Sequence, residues 1–502
     1  MHTPGTAHPR RWWILVALCL SLLVLVIDNT ILNLAIPALM SELRATPADI
    51  QWIISAYTLA YAGLLLTAGG LSDRYGRKRL LIAGLSLFGL ASLGAAFATS
   101  PEQLIAARAL MGVGGCLVMP STMSLLITVF DESERRTAIA AWSSISIAGI
   151  LAGPSLGGLL LDHFWWGSVF LINVPVAAIA IVAAVVLMPE SKAPARRPDL
   201  LGVILCTLGM VVLVWSIIAA PQRGWDSLWT GGALVVGVLL LVAFVIWELR
   251  TSHPMLPLRV FANRNFSGGT FSVMLLAFAA AGLMLALTQY VQLVLGYGVL
   301  QAGMALLPFA ASSALFNILG ATLAKRLSNR TMVTAGMLTT AAGFLFLWSI
   351  GPSDGYPLLA TALILMGMGA GLAAPAAVTA MMGAIPPEHA GAGSAMNSTI
   401  SQAGSVLGIA ILGSVLATGY ISALPADVPA PAKQSLTDAI ALSDPGVTAI
   451  ARAAFVDAMT FGMITGAVLA AAAALLAFVL LRARPDAAAP GTPASTLTEV
   501  GT

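Results

Sequence analysis

Stretches of about twenty apolar residues alternate with short polar breaks, many of them basic, along nearly the whole chain. A helix crossing the hydrocarbon core of a bilayer needs about 20 such residues. On that measure the sequence predicts fourteen spans, at 12–37, 50–71, 79–98, 102–128, 137–160, 165–188, 200–219, 230–249, 266–290, 303–324, 331–350, 357–383, 394–420 and 455–482. Lipid offers no partner for unpaired backbone N–H and C=O groups, so these spans must be helical. The expected fold class is all-α integral membrane. Two longer polar stretches stand apart. The segment 421–454 is rich in Pro, Ala and Asp and reads as a mobile loop, and the tail 485–502 reads as disordered.

Composition excludes the soluble alternatives. The 502 residues are 59% hydrophobic and 9% charged, where soluble domains carry about 25% charged residues. Mean hydropathy is +0.93. A net charge of +3 is too small to imply a nucleic-acid partner. Cys19, Cys116 and Cys206 all fall in apolar runs and read as small buried hydrophobes rather than a disulfide or metal site. The histidines at 2, 8, 163, 253 and 389 have no metal-ligand spacing, so neither metal nor cofactor is expected. Two arginines precede the first span but no small-residue cleavage site follows, so that span reads as a retained helix.

Charge placement sets the orientation. With the spans alternating, 19 of the 24 lysines and arginines fall on the side of the N-terminus and 4 on the other, with Arg108 inside a helix. The positive-inside rule makes the richer side cytoplasmic. Both termini are then expected in the cytoplasm of a multi-pass protein of the cell membrane.

The chain also repeats itself. Leu110-Met111-Gly112-Val113-Gly114-Gly115, followed by Pro120, recurs 255 residues later as Leu365-Met366-Gly367-Met368-Gly369-Ala370 with Pro375. Ala152-Gly153-Pro154-Ser155-Leu156-Gly157 recurs loosely as Ala403-Gly404-Ser405-Val406-Leu407-Gly408. These matches pair helices 2–5 with helices 10–13. The expected plan is a six-helix bundle over 1–190, two inserted helices over 191–260, and a second six-helix bundle over 261–484. Two similar bundles face to face enclose a cavity that opens to either side by rocking.

Few residues could carry chemistry. Asp28 lies inside the first span, where a carboxylate costs roughly 2.5–3.5 kcal/mol even on lenient scales. It is expected to face a cavity, as a proton carrier or a seat for a cation; the alternative is a structural hydrogen bond to a neighbouring helix. Arg108 is the second intramembrane charge, and the repeat places Leu363 at its counterpart, so the twofold plan does not require it. It suits a proton-coupling role, against a buried structural ion pair. Gly149, Gly153 and Gly157 recur every fourth residue beside Pro154 and Gly158, a stripe that lets helices pack backbone to backbone as a hinge surface. Tyr57 and Tyr61 could line a cation-accepting cavity. Trp12, Trp13, Trp165 and Trp166 read as interfacial anchors, as does Trp52. Asp457, placed at the start of the last helix, could act in transport or simply favour the helix N-terminus. Gly70-Leu71-Ser72-Asp73-Arg74-Tyr75-Gly76-Arg77-Lys78-Arg79 crowds five charges between two spans and reads as a tight turn at the membrane face.

That loop resembles the one between helices 2 and 3 of the major facilitator superfamily. Asp28-x-Thr30…Asn33-x-Ala35-x-Pro37, Arg108…Gly112-x-Gly114 and Gly149…Gly153-Pro154…Gly157-Gly158 resemble further signatures of its fourteen-helix drug:proton antiporters, the last being the antiporter motif. Trp165-Trp166…Phe170-Leu171-Ile172-Asn173-Val174-Pro175 and His253-Pro254…Leu258-Arg259-x-Phe261 are similar to the family's entries to helices 6 and 9. The resemblance implies a monomeric, non-enzymatic exporter of lipophilic, often cationic drugs or antibiotics, driven by protons. It implies that Asp28 is the proton- and cation-linked carboxylate and Arg108 the coupling arginine, with Gly70, Asp73, Arg74, Gly76 and Arg77 in a cytoplasmic gate. Some relatives that export divalent cations carry acids in helices 10 and 13. Here 303–324 and 394–420 hold none, which favours monocations or neutral compounds. The competing readings are a proton symporter importing a nutrient, and a membrane enzyme or sensor.

Overall fold

The computed structural model describes residues 9–192, 199–251, 254, 258–324, 326–349, 351, 356–385 and 390–482. The chain runs through α1 (Arg11–Glu42), α2 (Pro47–Tyr75), α3 (Arg77–Ala96), α4 (Pro101–Val129), α5 (Glu132–His163), α6 (Ser168–Leu171) and α7 (Asn173–Leu187). Next come α8 (Leu200–Arg223) and α9 (Leu228–Arg250), then α10 (Arg264–Gln289), α11 (Val299–Leu323), α12 (Asn329–Trp348), α13 (Tyr356–Met382) and α14 (Ala390–Ala423). The short α15 (Ala430–Gln434) and α16 (Leu436–Ala441) precede α17 (Pro445–Leu480).

Helix starts follow local chemistry. Thr46 and Asp49 form a reciprocal capping box at α2, and Ser100, Asp131 and Asp444 cap α4, α5 and α17. Proline follows the cap directly at α2, α4 and α17, where its missing N–H is not needed. Twelve helices among the described residues are long and apolar enough to cross a bilayer, or thirteen when the bent α2 counts as one span. The remaining long helix is α5, 32 residues rich in Gly and Ser. It is held between other helices, so the sequence spends small residues where a lipid-facing helix carries Leu and Val.

Two bundles form, α1–α7 and α10–α17. In the first, α4 packs on α2 and α3, α1 on α5 and α7; in the second, α13 packs on α11 and α12, α10 on α14. The repeated glycines make these contacts in both. A Cβ on Gly112 would sit 2.3 Å from the Tyr57 carbonyl oxygen, and one on Gly367 2.3 Å from that of Phe309. Gly153 and Gly157 lie on Thr30 and Ile31 of α1, as Gly404 and Gly408 lie on Met274 and Phe278 of α10. Backbones approach closely where the side chain is absent, which is how helices associate without a hydrophobic drive.

The inserted helices differ from one another. α8 covers the seam between α2 and α14: Val214, Ile217 and Ile218 join Leu59, Val406 and Ala410 in one apolar cluster, and Ser414 Oγ donates to the Ile217 carbonyl at 2.8 Å. α9 packs mainly on α8 and is the least buried of the membrane-length helices. Trp52 belongs to this seam rather than to an interfacial belt.

Three expectations are corrected. Gly70–Tyr75 continues α2, and the turn to α3 is the single residue Gly76, at φ +117. The φ value is open to glycine and strained for other residues. The segment 421–454, expected as a mobile loop, is largely helical: α15 and α16 fold over the end of the bundles, and α17 already begins at Pro445. Asp457 therefore lies in the fourth turn of that helix, exposed, and not at its start. The predicted tail lies outside the described residues.

Candidate functional site

Four helices of the first bundle meet around Asp28. Arg108 of α4 donates from Nη1 to Asp28 Oδ2 at 2.5 Å and from Nε to the Ile53 carbonyl of α2 at 3.2 Å. Asn173, the first residue of α7, donates from Nδ2 to Asp28 Oδ1 at 2.9 Å and to Ser92 Oγ of α3 at 3.0 Å. Ser92 in turn donates to the Phe170 carbonyl. Asp28 is 1% exposed and Arg108 0%. The carboxylate thus points into the first bundle, not into a space between the bundles. The reason lies in the register of α1: Val26 and Thr30, flanking Asp28, lie on Gly149 and Gly153 of α5, while Asp28 itself faces α3, α4 and α7.

A paired, hydrogen-bonded carboxylate tolerates burial, and an unpaired one does not. A proton added to Asp28 removes the counter-charge of a guanidinium that cannot itself be deprotonated.

The tyrosines stand beside this pair. The Arg108 guanidinium lies 4.4 Å from the centroid of the Tyr57 ring, and Tyr57 and Tyr61 stack at 5.9 Å. In this conformation the Tyr57 face is engaged by Arg108. Gly115 makes room for both, since a Cβ there would meet Leu25, the Tyr57 hydroxyl and Tyr61. Sequence reasoning singled out Asp28 and Arg108 but missed Asn173 and Ser92. Asn173 stood within a quoted motif, yet a single polar residue among apolar ones at a helix entry was the only hint of its role.

The glycine stripe of α5 serves two faces. Gly149, Gly153 and Gly157 receive α1, while Gly158 receives Leu300 of α11, whose Gly303 lies against the Pro154 carbonyl. α5 therefore joins the two bundles. On the other flank Gly413 of α14 lies on the Gln51 side chain of α2, and Gln292 donates to the Leu34 carbonyl. All these inter-bundle contacts lie in the half of the membrane-spanning region away from the termini. A cavity of about 590 Å³ lies in that half beneath α15 and α16, lined by Gln51, Gln289, Tyr420 and Lys433 among others.

At the opposite end, the basic segment after Gly70 forms an ordered cluster. Arg77 binds Asp73 through Nη2 and Nε at 2.9 and 3.0 Å and donates to Thr128 Oγ1 of α4 at 2.7 Å. The chain leaving α7 docks on it: Glu190 accepts the Lys78 N–H, and the Arg77 N–H donates to the Ser191 carbonyl. Arg74 is exposed beside Tyr75. Asp457 takes no part in either cluster.

Comparison with known proteins agrees with this architecture. The Major Facilitator Superfamily family model matches residues 18–409 and 269–498. The multidrug efflux pump LfrA of Mycolicibacterium smegmatis is 35% identical, over 89% of this chain and 89% of its own. The tetracenomycin C resistance and export protein of Streptomyces glaucescens is 31% identical over 97% and 95%. The methyl viologen resistance protein SmvA of Salmonella typhimurium is 35% identical over 87% and 90%. Among solved structures, a bacterial homologue of the human lysosomal transporter Spinster, inward-facing and unoccupied, superposes with a TM-score of 0.69 at 17% identity, over 95% of this chain and 98% of that one.

Proposed function

This chain belongs to the major facilitator superfamily, and from that premise we propose that it exports lipophilic, often monocationic drugs or antibiotics from the cytoplasm in exchange for protons. The observation that carries the proposal is the buried Asp28–Arg108 pair, bonded at 2.5 Å and almost wholly shielded from solvent. The named activities of relatives above 30% identity support the drug-export part of the reading. The 19-to-4 distribution of basic residues supports cytoplasmic termini in a bacterial cytoplasmic membrane.

With the terminal face taken as cytoplasmic, the named contacts between the bundles lie in the outer half, which we read as an inward-facing state. When the bundles are open to the outside, Asp28 accepts a proton from that side and Arg108 loses its counter-charge; in the inward-facing state Asp28 releases the proton inward and the pair with Arg108 re-forms. The residues flanking Asp28 lie on α5, and α5 holds α11, so a shift of α1 acts on the seam directly. The bundles rock as units, with α5 and its glycines as the hinge and the Asp73–Arg77 cluster as part of the cytoplasmic gate. Tyr57 and Tyr61 become available to a cation when Arg108 is displaced. Nutrient import finds no matching feature, since no mid-membrane basic pair awaits an anionic substrate among the described residues.

The test uses inside-out vesicles with an acid interior, loaded with wild type or Asp28→Asn. Ethidium uptake and interior pH are followed together. The expected result is ethidium entry and proton exit in wild type alone. Normal exchange by Asp28→Asn would remove that residue from the mechanism.

A further inference from the structure

Among the described residues the buried network around Asp28 leaves two atoms without a hydrogen-bond partner, Arg108 Nη2 and Asn173 Oδ1, and the second reports on how the asparagine is oriented. Asn173 is 1% exposed and has its amide nitrogen bonded twice, to Asp28 and Ser92, while its carbonyl oxygen Oδ1 is buried with no hydrogen-bond partner among the described residues. A buried polar atom without a partner costs stability, and most native ones are satisfied. An asparagine serving only to fill this space would turn or be replaced to satisfy both ends. Here the orientation is set by an acceptor on each side of the nitrogen: the carboxylate and the Ser92 oxygen, whose own proton is committed to Phe170.

We infer that Asn173 is a positioning residue for proton coupling, held donor-forward by Ser92 so that it stabilises Asp28 specifically in its ionised form. The inference rests on the reading of Asp28 as the proton carrier and deepens it. Arg108 occupies one oxygen of the carboxylate and Asn173 the other, so the second bond sets how readily the site gives up its proton even while the ion pair is intact. A hydrogen bond to a charged acceptor is roughly twice as strong as a neutral one, so the bond favours the carboxylate over the acid. Among the described residues the ionisable groups around Asp28 are Arg108 on α4, paired with it, and Tyr57 on α2, while Cys116 of α4 and Tyr61 lie beside Tyr57. α3 and α7 present the neutral Ser92 and Asn173, and α5 presents glycines to the neighbouring turns of α1. Among the described residues Asn173 is the donor seen on the second oxygen.

The experiment measures ethidium uptake into inside-out vesicles at fixed acid interior, as a function of exterior pH, for wild type, Asp28→Asn, Asn173→Leu and Ser92→Ala. Losing the donor makes the proton harder to release into the exterior medium. The exterior pH for half-maximal uptake is therefore expected to rise by about one unit in Asn173→Leu, a tenfold change in proton affinity. Ser92→Ala, which only frees the amide to turn, should shift it less and in the same direction. A merely structural role would lower the rate or the amount of protein without moving the midpoint, and that result in both variants would overturn the inference. If Asn173→Leu fails to reach the membrane, an unmoved midpoint in Ser92→Ala overturns it alone. Proton exchange that persists in Asp28→Asn would instead sink the underlying reading of Asp28, an outcome separable from failure of the inference alone.

Discussion

The two bundles share their glycines but not their charges. α4 and α13 pack through equivalent residues, Gly112 and Gly367 against one neighbour, Gly114 and Gly369 against another. Yet the position that holds Arg108 in α4 holds Leu363 in α13, equally buried, in a cluster with Ala362, Met366 and Phe344. The glycines are therefore what the fold needs, because both halves keep them. The ion pair is what one half adds, and the other half demonstrates that a helix of this shape packs well without it. A feature absent from one of two matched halves is the better candidate for function.

The strongest way to break this comparison is Leu363→Arg. It places a guanidinium in an apolar cluster with no carboxylate facing it, and leaving such a charge uncompensated costs about 3–5 kcal/mol. Expression and thermal unfolding in detergent should show little folded protein. A well-folded Leu363→Arg variant would mean that the second bundle conceals a partner for the charge. The next largest effect comes from Gly112→Val and Gly367→Val. Both side chains meet a backbone carbonyl that cannot retreat, so each should cost at least the ~1–3 kcal/mol of an overpacked core, and the two should be similar. Unequal losses would show that the helical interfaces are not equivalent after all.

Arg108→Leu copies the second bundle into the first and separates fold from coupling. Leucine packs at the matched position of α13, so the protein should fold and insert, while ethidium uptake should no longer respond to an imposed pH gradient. Full coupling in that variant, measured in the same vesicles, would show the charge to be structural. The companion change Asp28→Asn keeps a hydrogen-bonding group against Arg108 while removing the charge, so it tests the proposed role of the carboxylate without emptying the site.

How much of this was legible in the sequence depends on the range of the interaction. Spans and the repeat are local or periodic signals, and they placed nearly every membrane helix. Asp28 and Arg108 stood out because a charge in an apolar run is conspicuous. Their contact was not legible, since it joins residues 80 positions apart, and neither was the direction of Asp28, which is set by the packing of Val26 and Thr30 on α5. The loop over 421–454 was misread because proline and alanine suggested disorder. Asp444-Pro445, a cap followed by proline, was a readable start for α17. Glu190 gave no signal at all, because its partners come from a turn 112 positions away.

That turn supplies the smallest and sharpest contrast. In the first bundle the basic segment is met by acids: Asp73 on Arg77, and Glu190 on the Lys78 N–H, with Arg79 at 3.7 Å. In the second, Arg330 lies over the Phe478 ring of α17 at 3.7 Å instead. Glu190 and Arg79 are both partly exposed, and ion pairs of that kind contribute about 0–1 kcal/mol; a cation over an exposed ring is worth roughly 0.5–1 kcal/mol. Glu190→Gln and Phe478→Leu should therefore each lower thermal stability only slightly, and only the first effect should fade at high salt, because screening weakens exposed charge pairs. What would distinguish the two is transport. Glu190 ties the chain entering α8 to the α2–α3 turn, and α8 covers the α2–α14 seam, so Glu190→Gln should slow ethidium uptake by a larger factor than Phe478→Leu does. Equal rates in the two variants would confine the coupling to the buried pair and leave the basic turn as an anchor at the membrane surface.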